Sequence, residues 1–325
     1  MISIRFLIRA ALVAATATSL AHAAETFPQK PVKIVIPFGA GGLTDLLARA
    51  MAADLSQNWG QPVIIENRPG ASGSIAATHV AKSPADGLTL LFANDTALSV
   101  NPYLYKNLSY DPATDFKPVH NVAGTRNVVL ASKASGYQDL QTLLRDAKAK
   151  PGTISYGSFG IGSTPHLVTE EIAARAGVEL NHIPYNGNAD TINALLGGHI
   201  DLTPVAIPVA LPLIRADKAN ALGILAGERY FDLPDVPTFE ESGIPGLDSR
   251  IYFGLVAPVG TPDEVVQAIS RGVAEVIRQP EFKERQITSK GMELIDQDPA
   301  EFAVFLEADR KRYETRIRAM NLSLD

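Results

Sequence analysis

The sequence contains no cysteine in its 325 residues. Disulfide bonds and thiolate metal sites are therefore excluded. A chain without thiols cannot mispair in an oxidising compartment, which agrees with export, although cytosolic proteins can lack cysteine too. Beyond the N-terminal region no apolar stretch is long enough to span a bilayer, so we expect the mature chain to be soluble.

Positive charge is also scarce. The chain has 29 Lys and Arg against 35 Asp and Glu, a formal net charge of −6. A protein this acidic is a poor partner for nucleic acid or anionic lipid. If it binds an anion, local geometry must overcome the overall negative field. Hydrophobic residues make up 46% and charged residues 20%, which suffices for a well-buried core.

The first 23 residues have the pattern of a secretory signal peptide. Arg5 and Arg9 precede the short apolar run 10–20, and Ala21-His22-Ala23 fits the small-x-small cleavage rule. A membrane anchor is the weaker interpretation because the apolar run is too short to span a bilayer. We therefore expect a periplasmic protein cleaved near Ala23.

The motifs of several enzyme classes are missing. Both glycine loops fail the G-x-G-x-x-G pattern, since Thr44 and Pro165 stand at the third glycine positions. There is no P-loop, no G-x-S-x-G, no S-x-x-K and no H-E-x-x-H. The sequence thus predicts no catalytic residue, no cofactor and no metal site.

Short β-branched runs alternate with amphipathic helical stretches along the chain. The runs "PVKIVIPF", "PVIIENRP", "LTLLFAN", "TISYGS", "LNHIPY" and "IDLTPVAI" read as strands with helices between them. Such alternation is typical of parallel β-α-β units, and it predicts an α/β fold.

Two strand–glycine loop–helix segments resemble each other. The first is "IVIPFGAGGLTDLLAR" at residues 34–49, and the second is "ISYGSFGIGSTPHLVTEEIAAR" at 154–175. Open α/β sheets bind ligands at the carboxyl ends of their strands, and helix N-termini attract anions. In the second segment Ser163-Thr164-Pro165 is a strong helix-start signal, with hydroxyls that can cap and a proline suited to the first turn.

Several side chains near these loops have two interpretations. Asp45 can serve the helix dipole and pair with Arg49, or it can hold loop N–H groups, a water or a protonated ligand group. His166 is either a surface or supporting residue or a group that reaches a bound anion. Phe38 and Phe159 are core residues by default, but they could also clamp a flat or apolar ligand.

The residues also resemble a known family. Eight motifs occur in order between about Pro31 and Pro262: "VIPFGAGGLTDLLAR", "GQPVIIENRPGASGS", "ADGLTLLFA", "PGTISYGSFGIGSTPHL", "IPYNG", "LLGGHIDL", "LPDVPTFEESG" and "GLVAPVGTP". Together they are similar to the Bug (TctC-like) family of periplasmic solute-binding proteins, which serve tripartite tricarboxylate transporters. The C-terminal helices fit this family less specifically.

The resemblance implies a two-domain Venus-flytrap protein, each domain a mainly parallel sheet flanked by helices. It implies a monomer that traps a small carboxylate between the domains, without catalysis, and delivers it to membrane subunits of the transporter. The ligand-binding residues it implies are Phe38, Gly39, Ala40, Gly41, Thr44, Asp45, Asn94, Thr96, Ser158, Phe159, Gly160, Ser163, Thr164 and Asn188. His166 is added for its place in the first helical turn.

The departures from the family pattern bear on the ligand. Asn186 stands where family members often have Lys, and Asp190 replaces a small apolar residue or proline. After "GGHIDL" the family often shows Phe-Asp and a polar residue, whereas this chain has Thr203-Pro204-Val205-Ala206. Loss of that polar wall disfavours an amino-bearing ligand and favours a dicarboxylate or an aromatic or apolar carboxylate.

We expect domain 1 at residues 24–122 and 225–325 and domain 2 at 123–224, with the C-terminal helix packed on either domain. Two other functions stay open from sequence alone. The loaded protein could dock on a membrane kinase as a sensor, or the cleft could process a carboxylate as an enzyme.

Overall fold

The computed structural model describes residues 27–185 and 187–319. The expected signal peptide and Asn186 lie outside these ranges. The helices are α1 Leu43–Trp59, α2 Ser74–Ala81, α3 Asn101–Leu104, α4 Leu140–Ala149, α5 Thr164–Ala176, α6 Asn188–Leu196, α7 Ile207–Arg215, α8 Asp263–Ile277, α9 Pro280–Phe282 and α10 Pro299–Ala319. Among the helices of these ranges, none has the length and apolar character needed to cross a membrane.

The strands follow the predicted alternation with helices over most of the chain. They are β1 Val32–Ile36, β2 Val63–Asn67, β3 Thr89–Ala93, β4 Phe116–Ser132, β5 Ser155–Ser158, β6 Asn181–Pro184, β7 Leu202–Ala206, β8 Ala219–Ile224, β9 Arg250–Pro258 and β10 Glu293–Gln297. Single turns of 3₁₀ or π geometry occupy Ala71–Gly73, Thr96–Val100, Lys283–Ile287 and Thr288–Lys290.

Strand β4 belongs to two sheets. Its first half pairs antiparallel with β9 and β10, and its second half, from Asn127, pairs antiparallel with β7 and β8. The first sheet has the order β2-β1-β3-β9-β4-β10, and the second has the order β6-β5-β7-β4-β8. Most strands of each sheet run in one direction, as predicted, and the antiparallel ladders occur where the chain passes between the sheets.

The first lobe buries both faces of its sheet. Ile34 and Ile36 point into a cluster with α1 and α8, whereas Val35 points into a cluster with α2 and α10. Parallel strands covered by helices on both faces read as continuous apolar runs, which explains "IVI" at the end of β1. Helix α1 begins after Gly42 and ends at Gly60, whose φ of 62° favours glycine.

The second lobe repeats this arrangement around the second half of β4. Val129 and Ala131 face a cluster with α4 and α5, and Val128 and Leu130 face a cluster with α6 and α7. Two layers of helices therefore enclose each sheet, and the lobes have separate cores.

A long segment after the predicted boundary near residue 225 packs with the second lobe. Leu225, Phe239, Ile244 and Leu247 are all buried in the core of the second lobe. We therefore propose that the second lobe extends from about Asn127 to residue 249, and that β9 carries the chain back.

Candidate functional site

Asp45 organises the first glycine loop, residues 37–42. Its carboxylate accepts the N–H of Gly41 at 2.9 Å, Nε of Arg49 at 2.9 Å and Nδ2 of Asn67 at 2.9 Å. Asn67 Nδ2 also donates to the carbonyl of Phe38 at 3.1 Å. The Asp45 side chain thus ties the loop to its own helix and to the end of β2. Both the pairing with Arg49 and the contact with a loop N–H group are present.

The same contacts keep Asp45 ionised. Burial raises its pKa, but the hydrogen bonds from Arg49, Gly41 and Asn67 together outweigh burial and leave the pKa below its ordinary value. Asp45 is only 2% exposed, and its oxygens are already shared among three donors. It has little capacity left to receive an amino group of a ligand.

The first loop presents backbone rather than side chains. Gly39, Ala40 and Gly41 are exposed, and no side chain caps the start of α1 behind Gly42. Gly41 has a φ of 85°, and a Cβ built there would meet no atom within 4 Å. Open space and free helix N–H groups are the conditions in which an anion can approach backbone closely.

Thr44 and Phe38 flank this backbone surface on its inner side. Thr44 is 7% exposed in the first turn of α1. Phe38 packs against the core of the first lobe, which supports its interpretation as a core residue. Phe159, at the matching place in the second loop, is 39% exposed and remains available to a ligand.

The second loop, residues 159–163, is held by hydrogen bonds to the side chain of Ser158, the last residue of β5. The Ser158 hydroxyl accepts the N–H of Gly160 at 3.1 Å and lies 3.0 Å from the Gly160 carbonyl oxygen. Ser163 Oγ donates to that same carbonyl at 2.6 Å. Ser163 is the residue before α5, as predicted, but its hydroxyl does not cap the helix. The helix start is therefore left without a side-chain cap.

His166 also supports this loop. Its Nδ1 accepts the N–H of Gly162 at 3.1 Å, and the side chain is buried at 6% exposure. Its ring lies 4.4 Å from that of His182, which stacks on Tyr156 at 4.8 Å. Direct contact between His166 and a ligand stays a prediction, whereas its contact with the loop is structural.

A hydrogen bond joins Ser158 and His182, with 2.7 Å between Oγ and Nε2. A serine–histidine pair invites comparison with a nucleophile and its base. Ser158 is, however, fully buried, and its hydroxyl is occupied by the Gly160 backbone on the other side. In this geometry the pair fixes the loop, and a substrate has no access to the oxygen.

The end of β3 brings the two lobes together. Asn94 and Thr96 are half-buried there, and their place in a ligand-binding cleft stays a prediction. Asp95, between them, is fully buried, and its Oδ2 accepts the hydroxyl of Thr164 at 3.2 Å. Thr164 is the first residue of α5, so the second loop lies beside the end of β3.

Asn188, the remaining predicted residue, and the apolar end of β7 both belong to the second lobe. Asn188 is exposed at the first turn of α6. The helix is anchored by Thr191, whose hydroxyl lies 3.2 Å from the carbonyl of Ser158. At the end of β7, Thr203 donates to the Gly157 carbonyl at 2.9 Å, and Val205 is buried. That strand end offers a ligand few free polar groups.

The predicted residues thus form two sets, one at each loop, linked through Thr164 and the end of β3. Their role in binding stays a prediction. The pairing of Arg49 with Asp45 was anticipated from the sequence. Sequence reasoning missed other residues that hold the loops, which are Asn67 in the first lobe, Tyr156 and His182 in the second, and Asp95 between them. Only Asn67 and Asp95 had a local signal, because each directly follows or ends a predicted strand.

Two lobes joined by the shared strand β4, each with a glycine loop at a strand's carboxyl end, define the class of two-domain solute-binding proteins. Comparison with family models gives the particular family. Residues 47–322 match the tripartite tricarboxylate transporter family receptor, TctC. The chain belongs to this family of periplasmic binding proteins, and the resemblance seen in its motifs is confirmed.

Relatives and solved structures agree. The chain is 35% identical to protein BugT of Bordetella pertussis over 78% of each chain. It is similar to the structure of R. palustris Rpa4515 with adipate, with a TM-score of 0.86, 34% identity and coverage of 92% and 100%. It is also similar to MatC (Rpa3494) from Rhodopseudomonas palustris with bound malate, with a TM-score of 0.82, 31% identity and coverage of 90% and 100%.

The buried histidines predict a pH dependence of stability. Burial, and then the nearby His166, lower the pKa of His182 from 6.5 to about 4. Between these values the unfolded chain binds a proton that the native state excludes, so this histidine destabilises the fold as pH falls. We expect the stability advantage of the wild type over His182→Gln to shrink from pH 7 to pH 4.5 in urea unfolding.

The variant His199→Gln is the matched control, because it removes an exposed histidine of the same lobe. A constant difference between wild type and His182→Gln across the whole pH range would show that His182 is not held neutral by the fold.

Proposed function

We propose that this chain captures a small carboxylate between its lobes and delivers it to the membrane subunits of a tripartite tricarboxylate transporter. The observation that carries the proposal is the pair of uncapped helix starts, α1 and α5, each behind a glycine loop. Each helix N-terminus carries about half a positive charge. Two such ends facing one desolvated cleft suit an anion with carboxylate oxygens.

Arg49, the cation beside the first loop, is already paired, which supports recognition of the carboxylate by backbone groups. Arg49 is committed to Asp45 and to the Asn67 side-chain carbonyl, at 2.9 Å each. Backbone N–H groups then bind the carboxylate without a fixed countercharge. Such a site explains how an acidic protein holds an anion.

The cleft favours a carboxylate without an amino group. Asp45 is buried and already engaged by three donors, and Val205 and Ala206 end the strand that would face the ligand. Exposed Phe159 and Ile161 in the second loop add apolar surface, at 39% and 53% exposure. Adipate in Rpa4515 and malate in MatC are carboxylates without an amino group, which supports the same class.

The first experiment is a calorimetric titration of the mature protein after unfolding and refolding to remove carried-over ligand. Adipate, malate, benzoate and aspartate are compared at one pH. We expect a dicarboxylate or the aromatic acid to bind at least tenfold more tightly than the amino acid. Tighter binding of aspartate would contradict the proposed ligand class. If none of the four acids binds, carboxylate binding by the cleft is contradicted.

The glycine loop itself is tested by comparing the two ends of α1. Gly41 and Gly60 both have positive φ, 85° and 62°, and neither has an atom within 4 Å of a built Cβ. Alanine at either site costs about 1 kcal/mol of backbone strain. We expect Gly41→Ala to weaken carboxylate binding about tenfold beyond Gly60→Ala, because only Gly41 lies at the ligand edge. Equal affinities would remove the first loop from the site.

Delivery to a transporter is a separate claim with its own test. We expect a strain that lacks this gene to lose uptake of the radiolabelled carboxylate, and the wild-type gene to restore it. The variant Gly41→Ala should restore less at limiting ligand. If uptake is unchanged while the transcriptional response to the ligand disappears, the chain serves a membrane sensor instead.

A further inference from the structure

One face of α5 packs against the first lobe and α10 instead of against its own lobe. Thr164, Leu167 and Glu171 recur at a spacing of three and four residues, so they lie on one stripe of the helix. Thr164 donates to Asp95 at the end of β3. Leu167 is fully buried in a small cluster with residues of the first lobe and α10, namely Val100, Leu104, Tyr313 and Ile317.

Glu171, the last residue of this stripe, contacts helix α10. Arg316 Nε lies 2.5 Å from Glu171 Oε2, and the side chains of both residues are largely buried. Arg312 and Arg316 each donate to the carbonyl of Asp248 at 2.9 Å. Asp248 lies in the segment that packs with the second lobe. The C-terminal helix therefore bonds to the second lobe although it covers the sheet of the first.

Asp95 joins the stripe to α10. Its Oδ2 accepts from Thr164 and also from the hydroxyl of Tyr313 at 2.7 Å, while its Oδ1 is buried without a partner. Burial raises the pKa of Asp95 to about 6, against the hydrogen bonds from Tyr313 and Thr164, which lower it. Burying a carboxylate in this position costs free energy, which offsets the stabilisation from its hydrogen bonds. Stability alone therefore does not account for the contact.

Buried polar contacts of this kind specify one geometry, because any other arrangement leaves charged groups unpaired in a dry site. The geometry specified here is the orientation of α5 relative to the first lobe. Since the second glycine loop ends at the first residue of α5, that orientation also fixes the distance between the two loops.

We propose that Asp95, Tyr313 and Arg316 are positioning residues that latch α5 to the first lobe in the orientation in which both glycine loops face one ligand. This inference rests on the proposed function for its ligand. It assigns affinity-determining roles to residues of the C-terminal helix, none of which belongs to either glycine loop. A protein with a weakened latch populates the competent orientation less, and its apparent dissociation constant rises in proportion.

The test uses the absence of cysteine, which allows two dyes to be attached at introduced sites alone. Gln57→Cys in α1 and Lys148→Cys in α4 are exposed positions, one in each lobe. Energy transfer between the dyes reports the lobe distance with and without adipate, and calorimetry gives the dissociation constant. Arg316→Met removes the interlobe ion pair, while Glu171 keeps its bond to Arg175 at 2.8 Å.

We expect Arg316→Met to broaden and lengthen the interdye distance without ligand and to raise the dissociation constant about tenfold. Saturating adipate should restore the wild-type distance, and Arg316→Lys should recover part of the affinity. The matched control is Arg318→Met, which removes an exposed ion pair with Glu314 on the same helix. It should change neither readout.

Unchanged distance and affinity in folded Arg316→Met would overturn the latch. If that variant fails to fold, Tyr313→Phe, which removes one hydroxyl, decides the question by the same two readouts. Should the wild type bind none of the carboxylates, the proposed function fails, but the interdye distance of the ligand-free variants still tests the latch.

Discussion

The structure depends on a single strand that serves two sheets. β4 has 17 residues, and each half is paired on both edges. A strand of this length spans about 55 Å, enough to cross both lobes. Strand β3 runs parallel to β4 in the first sheet, and β5 runs antiparallel to β4 in the second. The carboxyl ends of β3 and β5 therefore both point to the level where β4 passes from one lobe to the other. The glycine loops, the end of β3 and the start of α5 all lie at that level, so the site is a consequence of the crossing.

The loops at this level are made of exposed backbone held by buried side chains. Asp45 and Asn67 hold the first loop, while Ser158 and His166 hold the second. Each of these side chains uses its polar atoms on loop N–H or C=O groups. The loop backbone can therefore stay extended toward the cleft without collapsing on its own donors. In the proposed site, such preorganised donors lose little entropy when a ligand binds.

Sequence alone predicted the elements and the loops because both have local causes. Apolar runs such as "KIVI" between polar turns predict strands, and Ser163 before Thr164-Pro165 predicts the start of α5. The packing of Phe239 and Leu247 in the second lobe had no sequence signal, because they lie in an irregular segment where periodicity gives none. His182 and Tyr313 were missed for a related reason. Their partners are distant in the chain, and a buried polar contact between remote segments leaves no local pattern.

These remote contacts matter for recognition because each helix N-terminus is a weak attractor by itself. A helix end contributes typically 0.3–1 kcal/mol at an exposed site and about 2 kcal/mol in favourable, partly buried ones. Useful affinity therefore requires both ends to act on one ligand, and this requires a fixed angle between α1 and α5. The angle is set by Thr164 on Asp95 and by Arg316 on Glu171, neither of which the glycine loops provide. In the proposed site, the chemistry of the loops selects the anion class, and the packing of α5 on the first lobe and α10 sets how tightly the anion is held.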